Sequence, residues 1–396
     1  MGSLAMVAEA TGGTLYGADV GFDSVSTDTR ELVAGQLFFA LKGATSDGGA
    51  FLGEAARRGA AGAVVAARQA AALPQVVVAD TRLALGALAR SWRARFAIPL
   101  IGITGSNGKT TVKEMVAAIM REQFGTSTTV TGGYGIEGSA TAAGGDPVLV
   151  TWGNLNNEIG MPRTLLWLNA SHRAAVIEMG AARPGDIAYL AGIAAPTVGI
   201  VTNAARAHLQ GFGSVEEVAA TKGELFDALP AGGTAVINRD DAFFQSWWER
   251  STGRRRLSFG LHPDADVRAS AVTQDAARGG AHLRFTLHTS GGEAAIVLDM
   301  AGGHNVVNAL GAAAASVAAG ASLKAVARGL AAVRNVPGRL RRVPARCDAQ
   351  LFDDSYNANP GSVRAAIGFL ASLPGERWLV LGDMAELGPQ GAAMHR

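Results

Sequence analysis

The strongest constraint on this chain is a junction near residue 104. Residues 100–103 are an apolar run, and Thr104-Gly105-Ser106-Asn107-Gly108-Lys109-Thr110-Thr111 follows it. Beyond the glycines, Val112, Met115, Val116, Ile119 and Met120 fall at i, i+3, i+4, i+7 and i+8, one helical face. A buried strand turned by glycines into a helix belongs to α/β layers. The free N–H groups and positive end of such a helix face an anion. In that setting Lys109 reaches the β- and γ-phosphates of a nucleotide and the Thr110 hydroxyl holds Mg²⁺. The usual G-x-x-x-x-G-K pattern needs glycine at 103, where Ile103 stands, so a plain glycine turn is the alternative.

The rest of the chain extends the α/β reading. Strand-like and helix-like runs alternate, which argues for mainly parallel sheets. A first unit has strands near 36–41, 63–65 and 76–79 and a helix near 51–58. An amphipathic stretch at 83–96 leads into the second, with later strands at 174–177, 198–202 and 234–238 and an Ala-rich helix at 306–319. A third begins near Val336-Pro337-Gly338, with strands at 351–353 and 378–381 and a helix at 360–370. Residues 125–147, rich in Gly, Thr and Ser, read as a loop. A net charge of +2 advertises neither nucleic acid nor an anionic membrane as partner. No uncharged run of roughly 18 apolar residues marks a membrane span. The single cysteine, Cys347, and the lack of a visible signal peptide lead us to expect a cytoplasmic protein.

Seven stretches, taken together, resemble the Mur ligases, amide-forming enzymes of peptidoglycan precursor synthesis. They are the loop from Gly105 to Thr111, Gly153-Asn154-Leu155-Asn156-Asn157-Glu158-Ile159-Gly160, Glu178-Met179-Gly180-Ala181, Ala207-His208-Leu209-Gln210-Gly211-Phe212-Gly213-Ser214, Gly303-His304-Asn305, Pro337-Gly338-Arg339 and Asp353-Asp354-Ser355-Tyr356-Asn357-Ala358-Asn359-Pro360. They run in the family's order over nearly the whole chain. The resemblance implies a three-domain fold. A small N-terminal α/β domain (1–82) takes the UDP end of the substrate. A central P-loop ATPase-like domain with a mostly parallel sheet (83–333) takes ATP. A Rossmann-like C-terminal domain (334–396) is expected to be incomplete, because family members continue beyond the equivalent of Gly382–Gly388. The stretches at 153–160, 353–359 and 382–388 most resemble the branch that adds D-alanyl-D-alanine to UDP-N-acetylmuramoyl-tripeptide. The chemistry implied is ATP-driven phosphorylation of the tripeptide carboxylate, then attack by the amine of D-alanyl-D-alanine. The alternatives are an impaired ATP- and UDP-sugar-binding remnant, another Mur ligase, or a folylpolyglutamate synthase-type ligase. A monomer is expected.

Individual residues carry the resemblance, each beside a plainer reading. Glu178 ends a strand at the edge where α/β sheets place ligands, and a carboxylate there suits Mg²⁺; otherwise it is a surface acid. The metal role of His208 rests on resemblance alone. Ser214 and Glu217 form a capping box, which puts Lys222 on the apolar face of the helix that follows. Burial lowers a lysine's pKa, and a neutral amine takes up carbon dioxide. The family's matching lysine is a carbamate that helps hold a second Mg²⁺. The plainer reading lays the stem on the core with the ammonium in water. Asn305 and Asn308 share a helix face, implied to meet base and ribose, unless Asn305 merely caps the helix. Arg339 is implied to contact phosphates on domain closure and Asp354 the ATP ribose. Tyr356, Asn357 and Asn359 are implied to line the nucleotide and substrate cleft. Asn154, Asn156 and Asn157 suit a sugar-diphosphate. Ser26, Thr27, Asp28, Arg30, Lys42, Gly43 and Asp47 resemble the uridine pocket. There the sequence departs from the family, with Thr29 for serine and Gly49 for histidine.

Overall fold

The computed structural model describes residues 1–43, 47–125, 145–205, 209–275, 282–346, 349–385, 387 and 391–395. Its centre is a sheet of nine strands among the described residues. From one edge their order is Val148–Val150, Ala174–Glu178, Leu100–Thr104, Val198–Val201, Thr234–Asn238, Arg255–Gly260, Val267–Asp275, His282–Thr289 and Gly292–Leu298. The first seven run parallel, and the last three form an antiparallel meander. The five parallel strands from Val148–Val150 to Thr234–Asn238 are short and mainly apolar because helices cover both faces of the sheet. Leu100–Thr104 is buried along its whole length, and alternate residues serve different cores. Ile101 and Ile103 join one cluster and Leu100 the other.

The helix after the glycine loop, Lys109–Phe124, buries Val112, Met115, Val116, Ile119 and Met120, the face the spacing specifies. It lies in the first cluster with the Ala-rich helix His304–Ala318 and with Leu323–Ala332. Thr81–Arg93, Gly160–Leu165 and Asp186–Ala194 cover the opposite face. Asp80 caps the first of these by accepting from the N–H groups of Arg82 and Leu83. The N-terminal unit is a second sheet of five short strands, in the order Thr14–Tyr16, Gln75–Val77, Gly62–Val65, Leu37–Phe39 and Val25–Ser26. All are parallel to their neighbours except the first.

The third unit pairs Arg341–Val343 with Leu351–Asp353 and packs the helix Pro360–Ser372 beside them. Its small core joins Leu340 and Phe369 to Phe352, whose ring lies 4.9 Å from that of Phe369. The strand expected at 378–381 is absent. Those residues have no ladder partner, and Trp378 and Val380 are 79% and 95% exposed. An apolar run becomes a strand only where another backbone receives its hydrogen bonds. The loop expected at 125–147 lies mostly outside the described residues. Its described end is tied to the helix by Arg121, which pairs with Asp146 at 2.8 Å.

Candidate active site

The glycine loop sits at the carboxyl edge of the parallel strands and is held from beneath by the next strand's end. The Ser106 N–H donates to Asn203 O at 2.9 Å, and the Asn107 N–H to Asn203 Oδ1 at 3.0 Å. The Thr202 hydroxyl donates to Asn107 O at 2.6 Å. This grip requires glycine twice. Gly105 has φ +146°, and a Cβ there would stand 1.9 Å from Thr202 Oγ1. Gly108 has φ +81°, and a Cβ there would meet Asn308 Oδ1 at 2.5 Å. Lys109 Nζ donates to Gly105 O at 2.7 Å and Ser106 O at 3.3 Å, so the ammonium closes the loop on itself. Desolvation lowers the pKa of Lys109; the Glu178 carboxylate opposes that shift and Arg339 adds to it.

Glu178 is 2% exposed, which removes the surface-acid reading. Its two oxygens are shared, Oε2 accepting from the Thr110 hydroxyl at 3.0 Å and Oε1 from Asn156 Nδ2 at 2.8 Å. Lys222 is 3% exposed, so its ammonium does not reach bulk water. Ser214 Oγ accepts from the Glu217 N–H at 3.1 Å and so starts the helix Val215–Asp227 that carries it. Desolvation, with the nearby Lys109 ammonium, brings the Lys222 amine down to about 7. Its Nζ lies 5.6 Å from the centre of the Phe212 ring. Arg339 stacks 4.3 Å above the ring of Tyr356 and leaves a buried Nε without a partner. The next residue, Leu340, is held at φ +47°, where Asp354 Oδ1 accepts its N–H at 3.0 Å. A branched side chain in that region is strained. Asp354 itself is pushed upward by burial.

These groups line two adjoining cavities. One, of about 400 Å³, gathers Lys109, Thr110, Glu178, Lys222 and Arg339 with Asn154, Asn156, Asn157, Tyr356, Asn357 and Asn359. The other, of about 360 Å³, lies across Asn107 and Gly108 and is lined by Thr111, Asn305, Asn308, Arg339 and Asp354. Thr104 is buried beneath, its hydroxyl donating to Met179 O at 2.9 Å. The third unit closes on the loop directly, for Asn359 Nδ2 donates to Asn107 Oδ1 at 2.6 Å. Asn305 is not a cap. Gly303 holds that position, and the Asn305 amide donates to Ala301 O and accepts from Asn308 Nδ2 at 2.9 Å.

The residues expected to meet uridine line neither cavity. Ser26 Oγ donates to Asp28 O at 2.9 Å, and Arg30 pairs with Asp28, which holds that carboxyl below its ordinary range. Thr27 is half-buried, whereas Lys42, Gly43 and Asp47 are exposed, with Lys42 and Asp47 facing across an isolated bridge. His208 lies outside the described residues. Sequence reasoning missed Thr202 and Asn203, which follow a strand end at the same edge as Glu178; the signal that singled out Glu178 applied to them equally. It also missed Tyr189 and Asp186 in the first cavity and Phe259 in the second, and it gave no role to Glu158 and His304, which stand in the stretches quoted above.

Residues 103–316 match the family described as Mur ligase middle domain, and residues 338–396 the Mur ligase glutamate ligase domain. The chain belongs to the Mur ligase family. A relative of this Mur ligase, the UDP-N-acetylmuramoyl-tripeptide--D-alanyl-D-alanine ligase of Escherichia coli (strain K12), is 41% identical over 99% of this chain and 81% of its own length. Among solved structures, MurF from Acinetobacter baumannii superposes with a TM-score of 0.88 at 33% identity, covering 100% of this chain and 82% of that one. MurF ligase from Thermotoga maritima in complex with ADP superposes with a TM-score of 0.79 at 26% identity, covering 94% and 80%. The three-domain Mur ligase architecture is therefore this chain's own. No helix among the described residues is long and apolar enough to cross a membrane.

Proposed function

We propose that this Mur ligase joins D-alanyl-D-alanine to the terminal carboxylate of UDP-N-acetylmuramoyl-tripeptide, with conversion of ATP to ADP and phosphate. One observation carries the reading: the phosphate loop, the cations Lys109 and Arg339, the buried Glu178 and Lys222 and an asparagine wall line a single cleft. A carboxylate is a poor electrophile, so an amide bond requires its activation as an acyl phosphate. That step brings two anions together, and Lys109 and Arg339, with Mg²⁺, are the charges that offset their repulsion. The second cavity suits base and ribose, with Asn305, Asn308 and Asp354 as polar contacts and Arg339 common to both cavities. Asn154, Asn156 and Asn157 are assigned to the sugar-diphosphate, and Tyr356, Asn357 and Asn359 to the mouth of the cleft. Ser26, Thr27, Asp28, Arg30, Lys42, Gly43 and Asp47 are assigned to the uridine end. The corresponding division is 1–82, 83–333 and 334–396.

Mg²⁺ fits the donors present, since the Thr110 hydroxyl and the Glu178 carboxylate are hard oxygen ligands 3.0 Å apart. The ion would supply charge neutralisation at the transferring phosphoryl group. Lys222 as a carbamate, and His208, complete the proposed metal set. A cytoplasmic monomer is the setting we assign. The test is phosphate release from ATP with UDP-N-acetylmuramoyl-tripeptide and D-alanyl-D-alanine, omitting each in turn. Release that requires both substrates is expected. Retained ATP binding with no release would leave a binding protein and refute the proposal.

A further inference from the structure

Lys113 has no part in the chemistry above, yet it is among the largest fully buried side chains, at 2% exposure. It stands one turn into the helix that begins at Lys109. Its Nζ donates to Thr151 O at 2.9 Å and pairs with Glu114 at 3.1 Å. Thr151 is a junction. Its Oγ1 accepts the Glu178 N–H at 2.9 Å, and its own N–H donates to Val176 O at 3.0 Å. From Thr151 the chain runs into Asn154–Asn157, where Asn156 returns to Glu178 through the 2.8 Å bond to Oε1. Three residues before Lys113, Thr110 holds the other oxygen of Glu178.

The strand before this junction, Val148–Val150, is three residues long and lies at the edge of the sheet. Its pairing on one side alone fixes its far end weakly. A buried ammonium is an expensive way to fill a hole, because an apolar side chain of similar volume avoids the desolvation. What an ammonium adds is a strong, directed bond to a chosen carbonyl. We propose that Lys113 is a positioning residue, tying the phosphate-loop helix to Thr151 and so setting where the asparagine wall and Glu178 stand relative to bound nucleotide. The identity of the ligand on that wall rests on the function proposed above. The loop's own grip on Asn203 and Thr202 does not pass through Lys113.

The experiment compares wild type with Lys113→Met, measuring binding of UDP-N-acetylmuramoyl-tripeptide and of a non-hydrolysable ATP analogue separately by calorimetry. Loss of a charge-assisted bond predicts about tenfold weaker binding of the UDP-substrate, with the ATP analogue held within about twofold. Lys113→Arg, which keeps a donor, recovers part of the loss, and Glu114→Gln, which keeps the bond to Thr151, leaves both affinities as in wild type. Equal weakening of the two ligands, or an unchanged UDP-substrate affinity in folded Lys113→Met, overturns the proposal. So does a loss in Glu114→Gln as large as that in Lys113→Met. Should Lys113→Met fail to fold, Lys113→Gln, which takes the charge out of the bond to Thr151 O, must show the same split; uniform weakening there overturns it. A wild type that does not bind the UDP-substrate refutes the functional reading and this proposal together. Binding in wild type with no split refutes this proposal alone.

Discussion

Replacing Lys222 by methionine should stabilise the protein at neutral pH while removing its turnover. The amine falls from 10.5 to about 7 because its charged form loses water on burial. At about 1.4 kcal/mol per pKa unit, that fall corresponds to roughly 5 kcal/mol against the ammonium. The ring of Phe212, 5.6 Å from Nζ, returns at most about 2 kcal/mol, so desolvation wins. Between the folded value near 7 and the unfolded value near 10.5, the unfolded chain carries a proton that the folded chain has shed. Stability therefore rises with pH through this window and is lowest below it. Methionine does not titrate, so the gap in urea midpoint between variant and wild type should be widest below pH 7. It should close as the pH approaches 10. The measurement is equilibrium unfolding across that range in buffer free of carbon dioxide. Bicarbonate should then add stability, and the mass of one carbon dioxide, to wild type and not to Lys222→Met. A gap that stays constant with pH, or a wild type more stable than the variant in acid, would show that the ammonium keeps its water and would sink the carbamate with it.

Gly105→Ala forces a Cβ to within 1.9 Å of Thr202 Oγ1. Backbone strain of about 1–3 kcal/mol then weakens ADP binding roughly tenfold to hundredfold, readable as a lost thermal shift with ADP. Glu178→Gln keeps an acceptor for Thr110, so circular dichroism stays as in wild type while turnover drops by about a hundredfold or more; activity within tenfold of wild type would remove Glu178 from the chemistry. Asn359→Ala deletes both a helix cap and the bond to Asn107. A loss of about 1 kcal/mol should appear as faster hydrogen exchange in the first turn of Pro360–Ser372, and an unchanged rate would show that the cap is not formed in solution.

Much of this was legible in the sequence, and the exceptions share a cause. Leu100 to Phe124 was readable because period, glycine and cap signals are local and agree. Lys222 was readable because one charge on an apolar helical face stands out. The strand at 378–381 was misread, since its apolar run looks the same whether or not a partner strand lies beside it. Asn305 was open to reading as a cap because its role depends on Gly303 and Ala301, whose positions only the fold sets. The strands from Val267 to Leu298 went unread, being part of a meander whose exposed face breaks the apolar pattern. Asn203 and Lys113 were missed because their partners, Asn107 and Thr151, are 96 and 38 residues away.

The same distances bear on how the chain assembles its glycine loop. Leu100–Thr104 finds its neighbours in Val198–Val201 and Ala174–Glu178, and Leu100 N–H donates to Thr197 Oγ1 across 97 residues. Ribosomes add about 5–20 residues per second, so a fully apolar strand waits roughly 5–20 seconds unpaired before the segment that flanks it exists. High contact order slows closure further. The glycine loop's grip on Thr202 and Asn203 therefore forms only after about half of the chain has been made. The nascent chain spends that interval with an apolar strand exposed, which makes this strand a place where a chaperone or a cotranslational delay would matter.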